Sequence, residues 1–350
     1  MNVWLRPTGP MERDTMDHVG LVSILTPCFN SAATLPRYMA GISAQTCRNF
    51  EVVFINDGST DNTEHVFFEL AQATAKNSGV RIEYVVQPNR GPCAAINAGL
   101  RVARGEYFVF CDSDDVLAPD AIAQFIKAFQ ENPGADMVFT RYRLCDETGK
   151  PIDYGPAPPI PAPNEVYSEL LARGMFIKAG AYCFRRKCLE LLPLGRLNEQ
   201  NYGQNIEILL HVAARGRVCF WDAFTVDIFS TPASRSRRRS LTALRRQTLD
   251  SKRTQLEIMR QHGVSRSVRR AFTARFLSNE SLLYFLEGNW LGQTRCLLTA
   301  IWLGRLNGRI IRHWLAGPFP TLRRRLAKQW YPEYFDEAPG NREVGILCTR

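Results

Sequence analysis

Nowhere in the chain do about 18 apolar side chains follow one another, so no segment has the length that a membrane-crossing helix needs. The amino-terminal MNVWLRPTGPMERDTMDHVG also lacks a long apolar core, and a secretory leader is not expected. Ten cysteines are present, but no two stand in a CxxC spacing, which removes the usual signature of a structural zinc site. Several sit inside apolar runs, where a free thiol behaves as a small hydrophobe, and a reducing, cytoplasmic compartment is expected. Two phosphate-gripping signatures are missing as well: no GxGxxG follows the first apolar run, and GxxxxGK[ST] occurs nowhere. Any phosphate must be held by another device. There are no internal repeats.

What is present is a chain of 350 residues, 45 % hydrophobic, long enough for a full core plus an appended region. Its net charge of +10 is unevenly spread. Residues 231–330 hold 21 Lys and Arg against 4 acids, a balance of +17, which leaves −7 for the remainder. The basic half is expected to meet something anionic.

From Leu21 to about Thr140 short apolar runs alternate with amphipathic stretches: LVSIL, a helix near 33–45, EVVFI, a helix over 61–76, RIEYVV, a helix over 91–103, EYFVF, a helix over 119–130, then DMVFT. Apolar strands that take turns with helices predict an α/β fold with a mainly parallel sheet covered on both faces. Asp61-Asn-Thr-Glu64 reads as a capping box and Pro119 as a first helical position. GPAPPIPAP (155–163) excludes helix and central strand and reads as a surface crossing. Beyond it come a helix at 165–172, a strand at 181–185, a helix around 203–214 and two strands, 218–222 and 224–229. After Phe229 the composition turns to SRSRRRS and long helical segments. The expected organisation is a tail over 1–19, one domain over 20–230, a basic helical region over 231–330 and an irregular tail over 331–350.

Open sheets of this kind bind ligands outside the carboxyl ends of their strands. Three polar motifs fall there: TPCFN (26–30), NDGSTDNT (56–63) and CDSDD (111–115). Each alone is compatible with turn chemistry, but together they point to one crevice. Asp112, Asp114 and Asp115 crowd their charges, and like charges raise each other's pKa unless a cation compensates. Closely spaced aspartates hold Mg2+ or Mn2+ through a few oxygens and leave positions for substrate phosphates. A solvated acidic turn before a helix explains one or two such carboxylates better than three. His65 reads as an ordinary helix histidine, and Trp221 as a packing residue with acceptor stacking as the other reading.

LVSILTPCFNSAATL, EVVFINDGSTDNT and QPNRGPCAAINAGLRVARGEYFVFCDSDD, in this order and spacing, resemble the nucleotide-sugar glycosyltransferases of family 2, which have the GT-A fold. The likeness extends over roughly residues 20–225. It implies that Thr26, Pro27, Phe29, Asn30 and Asp57 meet the nucleoside, and that residues 89–97, with Asn89, Gly91 and Asn97, line the donor pocket. It further implies that Asp112 and Ser113 meet the ribose, and that Asp112 and Asp114 hold Mg2+ or Mn2+. The reaction implied is inverting, metal-dependent transfer of a sugar from a nucleotide-diphosphate donor to a glycan or lipid-linked acceptor, in cell-surface polysaccharide or glycoconjugate biosynthesis. A bound metal stabilises the departing phosphate oxygens.

One stretch departs from that pattern. NYGQNIEILLHVAARGRV (201–218) resembles the segment where many relatives carry Glu-Asp at a helix start, the Asp serving as general base, but this chain has Gln204 and Asn205. An amide cannot accept a proton at useful pH. Four readings stay open. Another carboxylate, Glu199, Glu207 or Asp115, is the base; or the nucleophile is already ionised, as a lipid-carrier phosphate is, and an amide positions it. Otherwise the alignment is shifted here, or the chain binds a nucleotide sugar yet transfers poorly; the alternative from another class is a non-catalytic sugar-nucleotide-binding or scaffolding subunit. Glu207 lies on another helix face and has His211 at i,i+4.

Between 280 and 330 four tryptophans, Trp290, Trp302, Trp314 and Trp330, mix with Arg305, Arg309, Arg312 and the run Arg323, Arg324, Arg325. Helices of this composition either lie on an anionic membrane surface, here the inner face, or pack as a bundle with solvated arginines. Nucleic acid is not expected, since no recognition module is present and the acidic half repels phosphate.

Overall fold

The computed structural model describes residues 3–5, 20–156, 160–174, 176–201, 203–229 and 241–331. The chain divides into two compact units, Met1–Tyr167 with Met175–Ser230, and Ser168–Gly174 with Thr231–Arg350.

The first unit runs β1 (Val3–Leu5), β2 (Val22–Cys28), α1 (Leu35–Ser43), β3 (Phe50–Asn56), α2 (Thr63–Ser78), β4 (Arg81–Val86), α3 (Pro92–Leu100), β5 (Tyr107–Phe110), β6 (Val116–Leu117), α4 (Ala121–Glu131), β7 (Met137–Cys145) and β8 (Pro151–Gly155). Helix α5 (Val166–Arg173) crosses the division; β9 (Tyr182–Arg185), a 3-10 turn (Arg186–Leu191), α6 (Gln204–Arg215) and β10 (Val218–Phe229) complete the unit. All strands join one sheet in the order β1-β4-β3-β2-β5-β9-β7-β10-β6, with β8 added to β7. The four parallel ladders, β2 with β3, β3 with β4, β2 with β5 and β7 with β10, carry most of the paired residues. Strands β2, β3 and β5 are buried on both faces, as their β-branched and aromatic content requires. On one face Ile24, Val52, Phe54 and Val109 pack with Tyr38, Phe67 and Phe125 of α1, α2 and α4. Phe54 stacks on Phe67 at 4.2 Å between ring centres.

Several local expectations are corrected. Val3–Leu5, read as part of a tail, pairs antiparallel with β4 and covers that edge. Thr63 opens α2, and Asp61 rather than a capping box holds it, accepting from the Thr63 N–H at 3.0 Å. Pro119 falls just before Asp120, the cap of α4, and is not its first residue. The two strands read over 218–229 are one, with register shifts around Phe224 where a break was expected. Residues 157–159 of the proline-rich stretch, the SRSRRRS run and 332–350 lie outside the described residues.

The second unit is helical: α7 (Leu241–His262), α8 (Arg266–Glu287), α9 (Trp290–Trp302), α10 (Gly308–Ala316) and α11 (Pro320–Trp330). Ser265, Asn289 and Asn307 cap α8, α9 and α10 by accepting backbone N–H bonds, which satisfies donors that a helix start leaves open. Leu277, Cys296, Ala300 and Ile310 form one core patch and Phe285, Ala316 and Ala327 another. His313 is buried beside Phe285, between Ser281 and the Tyr331 hydroxyl, and burial pushes its pKa down to about 4. No described helix is long and apolar enough to cross a membrane.

Candidate functional site

The chain builds β2, β3 and β4 outward in one direction and then returns to place β5 on the other side of β2. That reversal opens a crevice at the carboxyl ends of β2 and β5, the place where such sheets bind ligands. Side chains tie the loops there to one another. Ser31, after β2, meets Ser113, after β5, hydroxyl to hydroxyl at 2.8 Å. The Thr34 hydroxyl donates to the Ser113 carbonyl at 3.0 Å, and the Arg37 guanidinium donates to the Asp114 carbonyl at 2.7 Å. Arg37 also stacks over the Phe229 ring at 3.5 Å from its centre.

Asn30 adopts a left-handed backbone, φ +53°, which asparagine tolerates better than most residues. This lets its side-chain oxygen accept from the Thr60 N–H at 2.7 Å while its own N–H donates to Ser59 at 2.9 Å, joining the loops after β2 and β3. Asp57 does the same for the next loop. Its side-chain oxygens accept from Gln87 Nε2 at 2.8 Å, the Arg90 N–H at 2.9 Å and the Gly91 N–H at 2.8 Å, so residues 87–91 are fixed by one buried side chain. Gly91, at φ +89°, turns the chain into α3, where Pro92 supplies the preset first helical φ.

Asp112, Asp114 and Asp115 bring carboxylate oxygens within 4.8 Å of one another. Asp115 is buried and accepts from the Phe229 N–H at 3.2 Å. Burial, reinforced by the charges of Asp114 and Asp112, pushes its carboxyl well above the usual carboxylate range. Arg37 and Lys178 place positive charge near this carboxyl. The set consists of hard oxygen ligands suited to Mg2+ or Mn2+.

The structure separates the sequence-derived residues into two groups. Pro27, Phe29, Asn30, Asn89, Gly91, Asp112 and Asp114 retain solvent-reachable surface on the loops around the crevice, and Ser113 and Asp57 lie just beneath. Thr26 does not face it: the side chain is 0 % exposed and its hydroxyl pairs with Tyr38 at 2.6 Å. Strand alternation explains this, since Pro27 takes the opposite face. Asn97 is also buried, with its amide donating to the Leu197 carbonyl at 2.8 Å and accepting from the Leu197 N–H at 3.0 Å. It therefore fixes the segment before α6 rather than lining a pocket.

Of the amide pair, Gln204 reaches the acidic cluster. Gln204, first residue of α6, donates from Nε2 to Asp112 Oδ1 at 3.0 Å. Asn205 accepts from the Tyr182 hydroxyl at 2.5 Å. The carboxylates considered as substitute bases have partners: Glu207 accepts from the Asn198 N–H and from Asn201 Nδ2, both at 2.6 Å, and Glu199 accepts from Arg90 at 2.5 Å and Arg196 at 3.0 Å. Trp221 packs against the core with its N–H on Gln124, and His65 pairs with Glu69 on an exposed helix face. Arg37, Tyr182, Lys178 and Phe229 escaped the sequence reading, whereas Gln87 and Arg90 both fall inside QPNRGP and Arg90 within the 89–97 loop.

A fold of this kind has known relatives. S. aureus TarS in complex with UDP-GlcNAc superposes with a TM-score of 0.50 at 14 % identity, covering 88 % of this chain and 92 % of that one. Mannosyltransferase PcManGT from Pyrobaculum calidifontis, in complex with GDP-Man and Mn2+, gives 0.50 at 17 % identity, covering 93 % and 85 %. The fold is GT-A, with C-terminal helices appended.

In sequence, hyaluronan synthase of Pasteurella multocida is 35 % identical over 146 residues, 42 % of this chain and 14 % of its own length. Chondroitin synthase of Escherichia coli is 32 % identical over 166 residues, 47 % and 24 %. An uncharacterized glycosyltransferase of Haemophilus influenzae is 27 % identical over 192 residues, 55 % and 73 %. The chain thus spans less than a quarter of either synthase. The family model for glycosyl transferase family 2 matches residues 23–188.

Proposed function

We propose that the chain is an inverting, metal-dependent glycosyltransferase that takes a nucleotide-diphosphate sugar and transfers the sugar to a glycan or lipid-linked acceptor. The observation that carries this reading is the meeting, at the β2/β5 crevice, of the Asp112, Asp114 and Asp115 carboxylates with Gln204 at the start of α6. Pro27, Phe29, Asn30 and the 89–91 loop frame the nucleoside, with Asp57 holding that loop. Asp112 and Asp114 would hold Mg2+ or Mn2+, and buried Asp115 supports them from behind. When bound, the ion supplies Lewis-acid charge stabilisation at the departing diphosphate. Ser31, Thr34 and Arg37 keep the acidic loop in place through its backbone and the Ser113 hydroxyl. The acceptor approaches from the α6 side, and the basic helices of the second unit hold the enzyme at the inner face of a membrane in polysaccharide or glycoconjugate synthesis.

The scaffolding alternative is favoured by the absence of a carboxylate at 204 and 205. Incubation with UDP-, GDP- and TDP-sugars, with and without Mn2+, separates the two. Transfer or slow donor hydrolysis that requires the metal is the expected result. Metal-dependent nucleotide binding with neither hydrolysis nor transfer, across glycan and lipid-linked acceptors, would favour the scaffold.

A further inference from the structure

Beside the donor loop lies a cavity of about 510 Å3 lined by Arg90, Leu194, Arg196, Asn198, Glu199 and Gln200. Its charged lining is two guanidinium groups and one carboxylate. Glu199 Oε2 accepts from Arg90 at 2.5 Å and Oε1 from Arg196 at 3.0 Å, while Asn97 Nδ2 reaches Oε1 at 3.3 Å. One carboxylate has about four acceptor sites and each guanidinium five donors, so Glu199 leaves most of the donors of both arginines unspent. The two side chains are 60 % and 54 % exposed, which keeps those donors accessible.

The walls are fixed from several directions. The Arg90 backbone N–H is bound by Asp57, the Asn97 amide pairs with the Leu197 backbone, and Glu207 holds the Asn198 N–H. The cavity therefore connects the donor loop to the segment that leads into α6, and everything polar that lines it, other than Glu199, is a cation or an amide. An excess of forked donors in a prebuilt cavity suits a carboxylate or phosphate, which guanidinium binds bidentately.

We infer that this cavity is a subsite for an anionic group of the acceptor, a carboxylate or a phosphate, gripped by Arg90 and Arg196, with Glu199 as the internal counter-ion it displaces. The inference rests on the glycosyltransferase reading above. It also makes sense of a start of α6 that carries amides: a site that collects anions gains from neutral donors there.

Calorimetric titration of the full-length protein, without donor, with inorganic phosphate, glucuronate and neutral glucose tests it. Both anions are expected to bind and glucose to be silent; the tighter of the two anions identifies the group. Arg196→Ala should weaken anion binding about fivefold and Arg196→Lys, which keeps the charge but loses the fork, by less. Glu199→Gln should strengthen it, and Arg48→Ala, an equal charge loss on the surface at Ser43, should leave it unchanged. An equal loss with Arg48→Ala, or unaltered binding in both Arg196 variants, would overturn the subsite. Displacement of the anion by UDP or GDP would assign the cavity to the donor diphosphate and overturn it too. Metal-dependent nucleotide binding, measured separately on the same proteins, reports on the glycosyltransferase reading alone.

Discussion

Asn205 is held by a buried tyrosine: the Tyr182 hydroxyl donates to its side-chain oxygen at 2.5 Å, which occupies one lone pair of that oxygen and leaves both N–H donors for anything arriving beside it. A donor at this position orients an acceptor oxygen but takes no proton. Asn205→Asp keeps the bond from Tyr182 and adds a proton acceptor. Transfer to a neutral hydroxyl acceptor is expected to rise about tenfold or more, with a rate that increases with pH as the new carboxyl ionises. An unchanged rate and an unchanged pH profile would remove residue 205 from the acceptor side. At this scale the sequence was legible where chemistry is dense, as at 112–115, and misleading where only neighbourhood spoke. Thr26 belongs to a conspicuous motif, yet the two-residue period of its strand turns it into the core against Tyr38, and Asn97 spends its amide on Leu197 and Glu199. Tyr182 and Lys178 could not be found at all, because their approach to 205 and 115 is made by chain pairing far along the sequence.

At the scale of elements, helix α9 is unlike its neighbours. Leu291, Arg295, Leu298 and Trp302 recur at helical spacing on one side; Leu291 is 78 % and Trp302 83 % exposed, while Gln293, Cys296 and Ala300 face the bundle. From 288 to 331 the chain has eight Arg and Lys and no acid. Two such faces would repel each other, whereas an anionic bilayer complements both their charge and their apolar stripe. The protein is expected to co-float with vesicles containing about 30 % anionic lipid and to leave them at high salt, while the double variant L291A/W302A binds about tenfold more weakly. Equal binding to purely zwitterionic vesicles, or no binding to either, would contradict a membrane role for α9. The element pattern itself was largely readable, since β2, β3, β4, β5 and β7 and their helices follow apolar runs and breakers. Strand β6 was not anticipated, and β9 was expected as a strand at 181–185 but not in its place in the sheet. The first is two residues that exist as strand only through β10, and the second enters antiparallel between β5 and β7, an insertion that no local periodicity encodes.

On the scale of the whole molecule, charge divides as labour is proposed to divide: −7 outside 231–330, where donor chemistry is placed, and +17 within it. The fold class was legible because alternating strands and helices leave few arrangements, and the reversal beside β2 then dictates where a ligand sits. Substrate identity was not legible, because it depends on how loops such as 87–91 and 194–201 close on one another. The central claim is that the acidic loop after β5 binds a nucleotide sugar through a divalent ion, and the most direct test is calorimetry of wild type and Asp114→Ala with UDP- and GDP-sugars, with and without Mn2+. The account predicts that at least one nucleotide sugar binds wild type with Mn2+ and that affinity falls about tenfold or more, roughly 1.4 kcal/mol, on removing either the metal or the Asp114 carboxylate. Affinity that is the same in Asp114→Ala as in wild type, with Mn2+ present, would contradict it.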